Sequence, residues 1–183
     1  MKPTTAGLAG LLVAVAFASA CRVNNESRGD LPVGDADGSV SAGQPVTLYF
    51  PAPDGRLAAE THNAPEQLDA EALRVWIAGE IATGPQTEEL LRAVPEGSEV
   101  ISVFSAPGGT VYVDLGIPGD TPAMGSADEL LAIYSIVNSL SLHDDSLDRV
   151  VLLVNGRQRE TFAGHIDTSR PLGARADLIG DPN

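Results

Sequence analysis

The chain contains 183 residues, 43% of them hydrophobic, and carries a formal net charge of −14 at pH 7. This length is enough for one domain with a sizeable core and terminal extensions. Because so much negative charge repels phosphate groups and anionic lipid head groups, the composition argues against nucleic acid as a partner. Only 4% of the residues are aromatic, which also argues against a platform for stacked bases.

Residues 1–20 have the three parts of a secretory signal peptide. Lys2 provides the positive charge, residues 8–17 form the apolar segment, and residues 18–20 are small, as at a cleavage site. The apolar segment is short for a bilayer span. A retained transmembrane helix is therefore the weaker interpretation.

The only cysteine, Cys21, directly follows these small residues. One thiol cannot form an intramolecular disulfide or a cysteine-rich metal site. Its position resembles the junction of bacterial lipoproteins, where signal peptidase cuts before a cysteine that becomes acylated, although Ala18 stands where leucine is preferred. Two or more acyl chains on Cys21 would anchor the protein stably in a membrane. An ordinary signal peptide that leaves a free thiol is the alternative.

The rest of the chain divides into a tether, a domain and a tail. Residues 21–44 comprise Cys21 and a segment rich in Gly, Ser, Asn and Asp without apolar periodicity, which predicts a disordered tether. The folded domain is predicted to span residues 45–172. Residues 173–183 are predicted to be frayed.

The domain is expected to begin with two strands, residues 46–50 and 56–64, separated by a turn rich in Pro and Gly. A helix is predicted over residues 69–83, because apolar residues recur at helical spacing until Gly and Pro end the pattern. A further helical turn or two is expected within residues 87–93.

A hairpin and a second helix follow. Residues 100–104 and 110–115 are predicted strands joined by a Pro-Gly-Gly turn. Ser126 and Glu129 have the spacing of a capping box at the start of a helix. One apolar stripe continues along that helix through Leu130, Ile133, Tyr134, Val137 and Leu140.

The last part of the domain is predicted to be a strand, a tight turn and a more polar strand that ends at Phe162. Residues 150–154 form a continuous β-branched-rich run, typical of a strand covered on both faces. Asn155-Gly156 can supply the two positive φ angles of a type I′ turn. The element order predicts an α+β fold, with two main helices on one face of a mixed or antiparallel sheet and extra hairpin strands at the edges.

The sequence does not contain a recognisable catalytic motif. His143-Asp144-Asp145 and His165-x-Asp167 come closest to a metal or acid–base group, but neither has ligands spaced on one helix face. There is no G-x-S-x-G motif to present a serine and no glycine-rich loop followed by lysine to bind phosphate. We therefore expect no catalysis, no metal and no cofactor.

Four residues form the candidate partner or ligand surface: Tyr134, Asn138, His165 and Asp167. Asn138 is four residues after Tyr134 and borders the apolar stripe. A partly buried Asn needs hydrogen-bond partners. It can tie the helix to a neighbouring loop, which is the favoured interpretation, or contact a partner.

Several stretches resemble the GerMN domain of bacterial sporulation, germination and other envelope lipoproteins. VTLYFPAPDGRL resembles its opening strand and turn, VPEGSEVISV and VYVDL its central hairpin, and GSADELLAIYSIVNSL its second helix. VVLLVNGRQRETFAGHIDTSRPL resembles its closing strand and tail. The resemblance implies a compact α+β domain similar to ring-building modules of envelope assemblies, without known catalysis. Sporulation members carry two such domains, whereas this chain has room for one.

These observations predict a lipid-anchored, extracytoplasmic scaffold or assembly adaptor of the bacterial cell envelope that acts through protein–protein contacts. Its expected partners are the membrane, through the lipid on Cys21, and envelope proteins. A second copy of the same chain, in a homo-oligomer, is a further candidate partner. The alternative is a small module that binds a cell-wall glycan or peptide in a concave apolar pocket near Tyr134, Asn138 and His165.

Overall fold

The computed structural model describes residues 43–119 and 123–181. Cys21, the predicted signal peptide and nearly all of the predicted tether lie outside these ranges. The α+β class and the predicted order of the main elements are confirmed. The elements are β1 (Gln44–Pro51), β2 (Leu57–Ala64), α1 (Ala70–Thr83), β3 (Glu99–Ala106), β4 (Thr110–Gly116), α2 (Ser126–Ser141), β5 (Arg149–Val154), β6 (Arg157–Gln158) and a 3-10 turn (Ala176–Leu178).

The strands form two sheets. β1 and β2 are an antiparallel pair with Pro51 opposite Leu57. The second sheet has the order β3-β4-β5-β6 and is mixed, because β4 and β5 run parallel while its other pairs are antiparallel. The parallel pair requires a long crossover, which α2 provides. α1 packs against β3 and α2, and α2 packs against β1 and β5.

α1 follows the predicted bounds. The Asp69 side chain caps its start by accepting a hydrogen bond from the Ala72 amide at 2.8 Å. Gly84 ends it with a φ of +100°, a conformation that favours glycine.

The predicted helical turn at residues 87–93 is wrong. The segment contains one hydrogen-bonded turn outside any helix, in which the Leu90 amide donates to the Thr87 carbonyl at 3.1 Å, and two of its other amides are bound by other elements. The Thr87 amide donates to Glu60 Oε1 at 2.7 Å, and the Leu91 amide donates to the Pro51 carbonyl at 2.8 Å. The segment is thereby held against the β1–β2 hairpin.

α2 differs from its prediction in two respects. Every residue from 131 to 140 is buried, so the helix is covered all round and not only along one apolar stripe. The predicted capping box is absent, since Gly125 is the N-cap and makes no side-chain hydrogen bond. Glu129 instead extends to the segment after β6, where it finds three hydrogen-bond donors.

The β5–β6 turn agrees with its prediction, with φ angles of +52° at Asn155 and +77° at Gly156. In β5, Arg149 is exposed and Leu153 is half-buried, while the other four residues are buried. The strand after the turn is shorter than predicted and contains only Arg157–Gln158. Beyond it the chain pairs with its own continuation, because the Thr168 amide donates to the Glu160 carbonyl at 2.8 Å.

Residues 173–181, which we expected to be frayed, make specific backbone contacts. Just before them, Leu172 and Val150 exchange two backbone hydrogen bonds of 2.8 Å. Ile179 forms a parallel bridge with Leu57, and the Gly180 amide donates to the Leu57 carbonyl at 2.8 Å. The tail therefore crosses from β5 to the edge of β2, and we call residues 173–181 the docked tail.

Candidate functional site

Tyr134 and Asn138 both contact the docked tail from α2. Asn138 is fully buried; its Oδ1 accepts from the Arg175 amide at 2.8 Å and its Nδ2 donates to the Arg175 carbonyl at 3.0 Å. The Arg175 guanidinium carbon lies 5.6 Å from the centroid of the Tyr134 ring, within the range of a cation–π interaction. Asn138 therefore ties the helix to another segment, and its polar groups face that segment.

His165 is positioned by a buried carboxylate. Glu129 has no exposed surface, and it accepts hydrogen bonds from the amides of Ala163 at 2.6 Å and His165 at 2.8 Å. His165 Nδ1 lies 2.9 Å from the same carboxylate. Burial raises the pKa of Glu129, but these hydrogen bonds outweigh burial and lower it overall. The His165 side chain is 47% exposed, so only its outer edge can meet a partner.

Asp167 is exposed and occupied locally. Its Oδ1 accepts hydrogen bonds from the Ser169 hydroxyl at 2.6 Å and the Ser169 amide at 2.9 Å, which lower its pKa. Glu129, which holds His165, and Asn138 are about 13 Å apart along α2, at a rise of ~1.5 Å per residue. Tyr134 and Asn138 therefore hold the docked tail, His165 is held by Glu129, and Asp167 forms a surface turn. None of the four residues lines the two best-formed cavities of the described residues.

A buried ionic cluster was missed by the sequence reasoning. His62 is fully buried between two carboxylates, with Nδ1 2.7 Å from Glu80 Oε2 and Nε2 2.6 Å from Glu60 Oε2. Gln86 Nε2 also lies 3.2 Å from His62 Nδ1, so both ring nitrogens have hydrogen-bond partners inside the fold. Its only sequence signal was a histidine placed among alternating residues of a strand.

Glu60 is held ionised by this cluster. Burial raises its pKa, but hydrogen bonds from Thr87, His62 and Gln86 outweigh burial and lower it from 4.5 to about 2. The His62 ring also stacks on Phe50, with centroids 5.7 Å apart. The cluster thus joins β2, α1 and the segment after α1, and its polar groups are already paired with one another.

The other candidate acidic group is also engaged in structure. Asp144 accepts from Arg74 Nε at 3.1 Å and from the Ser146 amide at 2.9 Å, and its pKa is lowered by these bonds despite the opposing effect of burial. Across residues 43–119 and 123–181, no group of three or more His, Cys, Asp or Glu side chains is arranged to hold a metal ion. No helix within the same ranges is long and apolar enough to cross a membrane.

A concave surface lies elsewhere, at the turn end of the β1–β2 hairpin. It has a volume of about 780 Å³ and is bounded by the hairpin, the segment at Glu89 and Leu90, and the end of the docked tail. We call it the hairpin groove. Its apolar lining consists of Tyr49, Ala52, Pro53, Leu57, Ala58, Ala59, Leu90 and Ile179. Three carboxylates, those of Asp54, Glu89 and Asp181, also line it.

Comparison with known structures identifies the fold. The tandem GerMN domains of the sporulation protein GerM from Bacillus subtilis match with a TM-score of 0.57 and 18% identity, over 85% of this chain and 51% of that one. The first GerMN domain of the same protein matches with a TM-score of 0.53 and 18% identity, over 74% of this chain and 96% of that one. This chain therefore spans about half of the tandem protein.

A Clostridium perfringens structure described as a candidate lipoprotein matches with a TM-score of 0.51 and 16% identity, over 71% of this chain and 87% of that one. Among curated proteins, none matches the sequence significantly. The family model named Germane, described as sporulation and spore germination, matches residues 47–160, more than half of the chain. The chain therefore belongs to the Germane family, whose GerMN fold it shares.

Proposed function

We propose that this protein is a lipid-anchored, extracytoplasmic and non-catalytic domain that serves as a scaffold or assembly adaptor through protein contacts. The Germane match over residues 47–160 carries the proposal, because it relates the chain to sporulation and germination proteins. The position of Cys21 after a signal-like segment supports the anchor, as does the similarity to a structure described as a candidate lipoprotein.

The hydrogen bonds of the candidate catalytic side chains support the proposal that the domain is non-catalytic. Glu129 and Asp144 each accept several hydrogen bonds from other segments. His62 is fully buried between carboxylates. A general base must reach a substrate proton and a nucleophile must be exposed to its target. Each of these groups is instead paired with its own neighbours inside the fold, which it helps to stabilise.

The second candidate function is a module that binds a cell-wall glycan or peptide. The hairpin groove favours it, because ligand sites are concave, largely apolar and furnished with a few polar groups. Thermal stabilisation of the protein by purified wall fragments would support this function, since a ligand that binds only the folded state raises its stability.

Crosslinking in living cells tests the proposal. The tagged full-length chain is crosslinked and purified, and the proteins crosslinked to it are identified by mass spectrometry. A Cys21→Ala variant is treated in the same way as the control. We expect a defined set of envelope proteins that is lost or weakened in the variant. Recovery of wall fragments without proteins would favour the second function. An unchanged membrane fraction for Cys21→Ala would contradict the lipid anchor.

A further inference from the structure

The hairpin groove is lined in part by polar groups that have no hydrogen-bond partner among the described residues, as expected of a binding site. The exposed carboxylates of Glu89 and Asp181 line it and make no hydrogen bond or ion pair with any described residue. The Tyr49 hydroxyl is likewise without a hydrogen bond within the described ranges. Its volume of about 780 Å³ falls within the ~300–1,000 Å³ typical of ligand sites.

The negative charge of the groove predicts which class of ligand it binds. Three carboxylates surround an apolar floor, and none of the described Lys or Arg side chains lines it. Arg56, which precedes Leu57, donates to the Asp177 carbonyl at 3.3 Å. An acidic or phosphorylated ligand would be repelled, whereas a ligand that alternates cationic and apolar groups would be attracted and would bury apolar surface.

Backbone groups favour an extended peptide. Residues 58–64 of β2 pair with β1, and no other described strand pairs with them. The docked tail already binds this edge as an extended segment, with the Gly180 amide on the Leu57 carbonyl. An exposed strand edge can accept a further peptide strand through main-chain hydrogen bonds, while pockets select its side chains.

The predicted tether of this chain is a poor ligand for the groove because of its charge. Residues 22–42 contain four carboxylates and only two arginines, so they share the sign of the groove. Resting on the proposed adaptor function, we propose that the hairpin groove binds an extended segment of a partner protein in which Lys or Arg residues are interspersed with apolar residues.

Two pairs of variants test this site in the full-length protein. Glu89→Lys with Asp181→Lys reverses charge in the groove, and Glu88→Lys with Asp145→Lys makes the same change of charge at exposed positions outside it. Ala59→Trp fills the groove without changing charge. Thr61→Trp is its control, two residues further along the same face of β2 and outside the groove.

The probe is a fluorescent eight-residue peptide that alternates Lys with Leu, and binding is measured by anisotropy at physiological ionic strength. We expect at least tenfold weaker binding by the Glu89/Asp181 and Ala59 variants, and little change with their controls. Comparable weakening by Glu88→Lys with Asp145→Lys would show attraction to the acidic surface in general and would overturn the proposal. No binding by the unmodified protein, or equal binding of a Glu–Leu peptide, would also overturn it.

In-cell crosslinking separates this site from the adaptor function. We expect the groove variants to lose a partner that both control variants retain, and the crosslinked partner peptide to contain Lys or Arg among apolar residues. Partners retained by all four variants would refute the groove while leaving the adaptor function intact. Wall glycan crosslinked at position 59, or an acidic peptide from residues 22–42, would refute the groove proposal as well.

Discussion

Individual buried polar groups in this acidic chain are stabilised by partners from other segments. Glu129 is fully buried and His62 lies between two glutamates, yet every one of these groups has a partner. An unpaired buried charge would be strongly destabilising, whereas a carboxylate with several N–H donors is tolerated. Part of the negative charge therefore stabilises the fold and is not available as a surface for partners.

At Glu129, the isosteric change Glu129→Gln should lower the free energy of unfolding by about 2–4 kcal/mol. The amide cannot accept all the hydrogen bonds that Ala163 and His165 donate to the carboxylate. Urea denaturation measures the change. The matched control is Asp128→Asn on the exposed neighbour, which should shift stability by less than about 0.5 kcal/mol. Equal effects of the two variants would contradict the buried-carboxylate account.

Glu60 should make stability depend on acid pH. Folding lowers the pKa of Glu60 from 4.5 to about 2. Ionised Glu60 therefore stabilises the fold fully when the pH is above 4.5, the pKa in the unfolded chain. This contribution of ionised Glu60 to the free energy of unfolding is lost as the pH decreases from about 4.5 to about 2. Thermal unfolding of the unmodified protein and Glu60→Gln from pH 7 to pH 2 measures this. The difference in Tm should be largest above pH 4.5 and should shrink toward pH 2; a constant difference would contradict the ionised state of Glu60.

Among the elements, α2 has the largest organising role. It supplies the crossover between β4 and β5, contacts β1, and holds the chain after β6 through Glu129 and Asn138. The docked tail then ends beside Leu57, where Ile179 and Asp181 line the hairpin groove. A change in α2 can thus alter the groove without touching it, because one segment connects the two.

Asn138→Ala should release the docked tail. The variant loses both hydrogen bonds to Arg175 and leaves backbone groups of Arg175 unpaired, which should destabilise the fold by about 2–3 kcal/mol. Hydrogen exchange should increase most within residues 173–181. Asn63→Ala, an exposed position on β2, is the control and should leave exchange in the tail unchanged. Undisturbed exchange in Asn138→Ala would show that the tail is held by other contacts.

For the whole molecule, local signals in the sequence predicted the elements and missed the contacts between distant segments. The Asn155-Gly156 turn was predictable because two adjacent residues determine its φ angles. The role of Glu129 was not, because its partners lie 34 and 36 residues later, and the nearby Ser126 offered a plausible cap. The hairpin groove requires residues near positions 49, 89 and 179 to converge, and no short-range pattern encodes that convergence.

The state of the protein in its own membrane tests the adaptor proposal most directly. The tagged full-length chain is extracted from membranes with a mild detergent, and its complexes are separated by size and analysed by quantitative mass spectrometry. The adaptor function predicts a defined complex that contains at least one other envelope protein in fixed ratio and that Cys21→Ala reduces. Migration of the extracted chain alone, with no co-purifying protein before or after crosslinking, would contradict it.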